Sequence, residues 1–182
     1  MGVIRTTPGF SSPIFLIGMM GCGKTTTGEQ LANLLGWPFT DLDAYLERMA
    51  GCTIAELFSR EGESGFRKLE RQALLEILET PSPNVVACGG GTPCFFDNLE
   101  LMKRRGWVIY LETPLALLAE RLKKGPRARP LLEAPDPDQV LANLLEARKK
   151  FYSRAQIIYQ QRREGMNVAE ELAGHLVNIG GH

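Results

Sequence analysis

The sequence predicts a three-layer α/β domain built on a parallel sheet of five strands. Two observations carry that reading. Short apolar runs alternate with stretches of helical spacing along the chain, and the first apolar run opens directly into a glycine-rich segment followed by a helical pattern. Strands that alternate with helices pair in parallel and need helices on both faces of the sheet.

The elements follow in order. Residues 1–12, rich in Thr, Ser, Gly and Pro, read as a flexible tail ahead of a single domain over 13–182. Residues 14–17 are predicted as the first strand and 24–35 as a helix stopped by Gly36, with a second strand over 38–41. Two short helical stretches are expected at 44–50 and 54–60. A longer helix is expected over 66–79, where Leu69, Ala73, Ile77 and Leu78 share one face. Residues 85–88 form the third strand and run into Gly89-Gly90-Gly91. The fourth strand, 107–111, leads to a helix over 114–123 with Pro114 at a favoured early position. Pro, Gly and charge crowd residues 123–137, the pattern of a mobile loop. A helix over 138–154, a fifth strand at 157–159 and a last helix at 168–177 complete the chain.

Composition narrows the function classes. Lys and Arg total 21, as do Asp and Glu, so the chain has no net charge with which to attract nucleic acid. Cys22, Cys52, Cys88 and Cys94 form no CxxC pair, which suits reduced thiols in a cytoplasm. His175 and His182 are the only histidines, too few and too near the C-terminus for a histidine metal site. The apolar run over 14–20 passes straight into glycines, as a buried strand does and a signal-peptide core does not. No run reaches the roughly 18 apolar residues of a membrane helix. The start Met1-Gly2-Val3-Ile4-Arg5-Thr6 matches a myristoylation pattern, a short match read as incidental.

The strongest motif is Gly18-Met19-Met20-Gly21-Cys22-Gly23-Lys24-Thr25, a G-x-x-x-x-G-K-[ST] run between a strand and a helix. Its glycines let successive backbone N–H groups converge on phosphate oxygens, and the helix adds its positive end. Lys24 suits the β- and γ-phosphates, and the Thr25 hydroxyl suits Mg²⁺. The chain is therefore expected to bind a nucleoside triphosphate on a P-loop. Cys22, near a helix N-terminus, is expected to favour its thiolate and to be open to alkylation. The third strand ends in Ala87-Cys88 instead of the acid common there, and acid appears instead in Asp41-Leu42-Asp43.

With that D-x-D pattern the chain resembles the shikimate kinases. The resemblance continues through Phe66-Arg67-Lys68-Leu69-Glu70, Gly89-Gly90-Gly91, Arg129-Pro130-Leu131-Leu132 and the pair Arg148 and Tyr152, in that order. It implies a P-loop kinase fold with strand order 2-3-1-4-5 and a lid over about 123–137. It also implies a monomer of the cytoplasm that moves the γ-phosphoryl group of ATP to the 3-hydroxyl of shikimate with Mg²⁺, without nucleic acid or membrane as partner. By the same resemblance Lys24, Asp43 and Arg129 are catalytic. Gly21, Cys22, Gly23, Lys24, Thr25, Thr26 and Arg129 meet the nucleotide, and Thr25 and Asp41 the metal. Asp43, Arg67, Gly89, Gly90, Gly91 and Arg148 meet shikimate, the two arginines as forks for its carboxylate.

Plainer readings stand beside these. Asp43 can be the N-cap of a helix starting near Ala44, and Arg67 and Arg148 can be solvated helix charges. Arg127 is a possible helper of Arg129. The segments 121–124 and 163–167, where the family grips adenine, offer no clear counterpart. A gluconate or nucleoside monophosphate kinase, or a silent shikimate-binding relative, remain the alternatives.

Overall fold

The computed structural model describes residues 12–79, 82–124 and 135–180. Five strands, β1 (Ile14–Ile17), β2 (Phe39–Asp41), β3 (Val85–Ala87), β4 (Trp107–Glu112) and β5 (Ile157–Gln160), form one sheet in the order β2-β3-β1-β4-β5. Every neighbouring pair is parallel. The register sets Asp41 and Leu16 each opposite Ala87, so β1, β2 and β3 release the chain at one edge. Ligands of open parallel sheets bind at that carboxyl edge, where the strand order reverses; here the reversal falls at β1.

The helices are α1 (Lys24–Leu35), α2 (Leu42–Ala50), α3 (Ile54–Glu79), α4 (Asn98–Arg105), α5 (Leu115–Lys124), α6 (Pro137–Tyr152) and α7 (Val168–Gly180), with a 3-10 turn at Thr92–Cys94. Gly36 takes the left-handed conformation at φ 68°, and the Trp37 N–H returns to the Ala32 carbonyl at 2.9 Å. That closure stops α1 where the sequence predicted.

The alternation of β1 divides the interior in two. Ile14 and Leu16 face a core with Leu31 of α1, Leu118 and Leu122 of α5, and Leu172 and Leu176 of α7. Phe15 and Ile17 face the other, with Leu46 of α2, Phe66 and Leu74 of α3, Met102 of α4, and Tyr152 of α6. Each such side chain contributes about 1.5–3 kcal/mol on burial, so the shared sheet is held from both sides. β5 is an edge strand, and its Ile158 is 45% exposed.

Three departures from the predicted elements matter for the site. The helix after β2 begins at Leu42, two residues earlier than expected. The two helices expected at 54–60 and 66–79 are present and share the range α3, but they meet at a kink at Gly62 (φ 65°, ψ 179°) with no loop between them. The 3-10 turn and α4 had no sequence prediction: the turn is 3 residues long and α4 only 8, too short for a periodic pattern. The centre of the expected lid, with Arg127 and Arg129, and the tail up to residue 11 lie outside the described residues.

Candidate active site

The glycine-rich loop leaves β1 and closes on α1. Gly21 (φ 82°) and Gly23 (φ 91°) both take backbone angles that L side chains rarely adopt, and Gly23 is the cap residue before Lys24. The Lys24 ammonium donates to the carbonyls of Gly18 at 2.9 Å and Met19 at 3.0 Å, which holds the cation inside the loop it serves. The Cys22 side chain is fully buried in the α1 core, and its carbonyl accepts from Gln161 Nε2 at 2.7 Å. The expectation of a reagent-accessible Cys22 thiol is therefore corrected. The residue's sulfur fills space under the loop, and its N–H donates to the Met19 carbonyl at 3.2 Å.

The acids of the D-x-D run lie on different elements. Only Asp41 belongs to β2; Asp43 stands in the first turn of α2. Asp41 Oδ1 accepts from the amides of Asp43 (3.0 Å) and Ala44 (3.2 Å), so Asp41 is the N-cap of α2. The capping role considered for Asp43 is thereby overturned. Asp41 Oδ2 accepts from Thr25 Oγ1 at 2.8 Å, which brings together the two residues expected to meet a metal. Asp43 is free of those duties. Its carboxyl opens to solvent at the mouth of the cleft, yet the surrounding protein strips much of its hydration. That desolvation, reinforced by the charges of Asp41 and Glu70 and opposed by Lys24, raises its pKa to about 6.

Across the cleft, α3 supplies Arg67 and Glu70, both buried. Arg67 Nη1 donates to Glu70 Oε2 at 2.8 Å, as their three-residue spacing suggested, and Glu70 Oε1 accepts from Thr92 Oγ1 at 2.6 Å. The guanidinium also lies over the rings of Phe95 (4.3 Å) and Phe66 (5.0 Å). Its Nε is buried without a hydrogen-bond partner among the described residues, a deficit of about 1–3 kcal/mol. Thr92 and Phe95 were not found in the sequence because the short turn at Thr92–Cys94 and its cap carry no periodic signal.

The triple glycine fits between these groups by its lack of side chains. A Cβ on Gly89 would lie 2.9 Å from Asp43 Oδ1 and 2.8 Å from Glu70 Oε1. On Gly91 it would lie 2.5 Å from Arg67 Nη2, and on Gly90 3.2 Å from Arg148 Nη1. The Gly90 position is also 3.6 Å from the Gly18 carbonyl and 3.7 Å from the Met20 amide, so this wall touches the glycine-rich loop. Asp43, Arg67, Arg148 and residues 89–91 thus converge as expected, and Thr26 is exposed at the start of α1. Arg129 cannot be placed among them, being outside the described residues.

The two segments without a clear counterpart are joined. Arg121 of α5 donates Nε and Nη2 to Glu164 at 2.7 and 3.1 Å, and Nη1 to Gln161 at 3.0 Å. A weaker contact reaches the Gly21 carbonyl at 3.4 Å. The pairing spans 43 positions of sequence and has no local signal. Among the described residues no helix is long and apolar enough to cross a membrane, and no cluster of three or more His, Cys, Asp or Glu forms a metal site.

Known proteins identify the family. The family model described as shikimate kinase matches residues 20–177. A shikimate kinase of Bacteroides thetaiotaomicron is 42% identical over 149 residues, 80% of this chain and 85% of that protein. The crystal structure of shikimate kinase from the same species superposes with a TM-score of 0.84 at 38% identity, covering 93% of this chain and 98% of that one. A shikimate kinase from Acinetobacter baumannii in complex with shikimate gives a TM-score of 0.80 at 38% identity, covering 92% of each chain. The chain belongs to the shikimate kinase family.

Proposed function

We infer that the chain transfers the γ-phosphoryl group of ATP to the 3-hydroxyl of shikimate. The observation that carries this reading is the contact at Gly90: the wall that gathers Asp43, Arg67 and Arg148 abuts the phosphate loop at Gly18 and Met20. An acceptor held at that wall lies beside the terminal phosphate of a nucleotide held on the loop. Two guanidinium groups meeting one acid suit a small molecule that carries both a carboxylate and hydroxyls.

The chemistry assigned to the residues is as follows. Backbone amides of Gly21, Cys22 and Gly23, with Lys24, Thr25 and Thr26, hold the phosphates, and Arg121 with its partner Glu164 offers the base a surface. Arg67 and Arg148 take the carboxylate. Asp43, with its pKa near 6, is largely ionised at neutral pH and accepts the proton of the 3-hydroxyl. That oxygen bonds to the γ-phosphorus as the bond to the bridging oxygen breaks, and ADP leaves. Positioning and charge supply most of the acceleration. Lys24, and Arg129 from the lid, neutralise the transferring group, and lid closure excludes water as a competing acceptor.

Mg²⁺ fits the donors present. A hydroxyl and a carboxylate already 2.8 Å apart at Thr25 and Asp41 are hard oxygen groups, and Mg²⁺ takes one or two carboxylates alongside phosphate oxygens. When bound, the ion neutralises phosphate charge. A monomer of the cytoplasm acting on small molecules, with no nucleic acid or membrane partner, suits the balance of 21 basic and 21 acidic residues. The one sheet and its two cores support a single domain over 13–182 that carries the tail and the lid.

ADP release, followed by a coupled assay with shikimate, gluconate and nucleoside monophosphates in turn, tests the reading. Turnover is expected with shikimate alone. Equal or faster turnover with another acceptor overturns the assignment, and shikimate binding without ADP release leaves a silent relative.

A further inference from the structure

Tyr152 closes the motif that starts at Arg148, yet the chemistry above gives it no task. Its side chain is fully buried, and its ring lies against Tyr110 with centroids 5.0 Å apart. Residues four apart on a helix share a face, and both of these look towards the triple glycine. Arg148 approaches the Gly90 Cβ position, while the Tyr152 hydroxyl donates to the Gly90 carbonyl at 2.6 Å. Both also reach Met19 Sδ, at 3.8 and 3.9 Å, beneath the phosphate loop.

The bond to Gly90 fixes more than a carbonyl. A trans peptide is planar, so its C=O and the following N–H point in opposite directions. With the Gly90 carbonyl turned towards Tyr152, the Gly91 N–H is turned away from it. Glycine lacks the side chain that would otherwise restrict this peptide; the Thr92 N–H bond to the Gly89 carbonyl at 3.1 Å brackets it as a turn, and the Tyr152 hydroxyl is the side-chain group that holds its carbonyl. Among the described residues neither the Gly90 nor the Gly91 amide donates to a protein acceptor. Burial raises the pKa of the phenol, which therefore stays a hydrogen-bond donor throughout the working pH range.

We propose that Tyr152 is a positioning residue: its hydroxyl locks the Gly90–Gly91 peptide so that the Gly91 N–H is presented to an oxygen of the acceptor. Arg148 touches the substrate and Tyr152, one turn on, orients the backbone donor beside it, so one face of α6 sets both. The inference rests on the placement of shikimate at this wall.

Tyr152→Phe keeps the ring and removes the hydroxyl. Shikimate binding measured by calorimetry is expected to weaken about threefold to tenfold, the range of one hydrogen bond. ATP binding and kcat are expected to stay within about twofold, because the N–H serves ground and transition states alike. Unchanged shikimate affinity overturns the proposal, as does a parallel loss of ATP affinity, which marks general damage to the fold. Amide resonances of ¹⁵N-labelled wild type give an independent check should the variant fail to fold. Shikimate must shift the Gly91 amide, and a silent Gly91 overturns the proposal. Wild type that binds no shikimate removes the acceptor reading and this inference together, whereas a Tyr152→Phe variant that binds normally removes this inference alone.

Discussion

The two halves of the site use glycine for opposite reasons. In the phosphate loop Gly21 and Gly23 are there for backbone angle, at φ 82° and 91°, and the Cβ position of Gly23 has no neighbour closer than 3.8 Å. In the acceptor wall Gly91 has an ordinary φ of −91°, and its Cβ position is taken by Arg67, 2.5 Å away. The loop is one contiguous run whose binding groups are mostly backbone. The wall is drawn from four separate segments whose binding groups are mostly side chains. A site of the first kind tolerates change everywhere except at its glycines and its cation, while one of the second kind is damaged by the loss of any single member.

The largest effect should come from the wall's acid. Asp43→Asn is expected to lower turnover about 10²–10⁴-fold, the range for a general base, with ATP affinity unchanged. In wild type kcat/KM should fall as pH drops through about 6, and the variant should lack that limb. The stability profile runs the other way. Between about pH 4, the unfolded value, and about 6, the folded protein holds a proton that the unfolded chain releases, so stability falls as pH rises through that window. Asp43→Asn should therefore be stabilised relative to wild type above pH 6 and not below pH 4, as thermal melts across pH would show. A near-normal turnover would remove Asp43 from the chemistry.

Next come the forks. Arg67→Ala or Arg148→Ala is expected to cost about 2–5 kcal/mol of shikimate binding, with Lys restoring only part because it keeps charge without the fork. A shikimate analogue without the carboxylate should bind wild type poorly and respond little to either change. Equal weakening of the analogue by Arg67→Ala would show that the arginines do not read the carboxylate.

The smallest effects, and the sharpest contrast, are expected from paired glycine substitutions. Gly23→Ala has space but the wrong angle, a strain of about 1–3 kcal/mol, and should raise KM for ATP alone. Gly91→Ala has the angle but no space, so it should displace Arg67 and raise KM for shikimate alone. Steady-state kinetics on both substrates would decide, and a shared defect in the two variants would erase the distinction between the halves.

The same contrast explains what could be read from the sequence. The loop was legible because its eight residues are consecutive and flanked by a recognisable strand and helix. Arg67 and Glu70 were legible because three residues on a helix is a contact distance. Asp43 was reached only through the D-x-D resemblance, and its local setting was not legible: the Asp41 side chain starts α2 so early that Asp43 is already helical. Thr92 and Phe95 were hidden in a turn and a short helix too brief for periodicity to show. Arg121 was hidden by distance, since its match to Glu164 exists only after the sheet brings α5 and the segment beyond β5 together.

The edge strand β5 bears on how the chain behaves when crowded. Among the described residues its outer side pairs with no other strand, and such an edge is a template for joining a second sheet. Here the template is 4 residues long, about 13 Å of backbone. It ends in Gln160, and beyond Gln161 come the exposed Arg162 and Arg163. Two copies laid edge to edge would gain few ladder bonds, and in a parallel alignment their Arg162 and Arg163 side chains would lie beside one another as like charges. A short edge followed at once by two cations thus offers a second sheet a poor template, a consequence independent of catalysis.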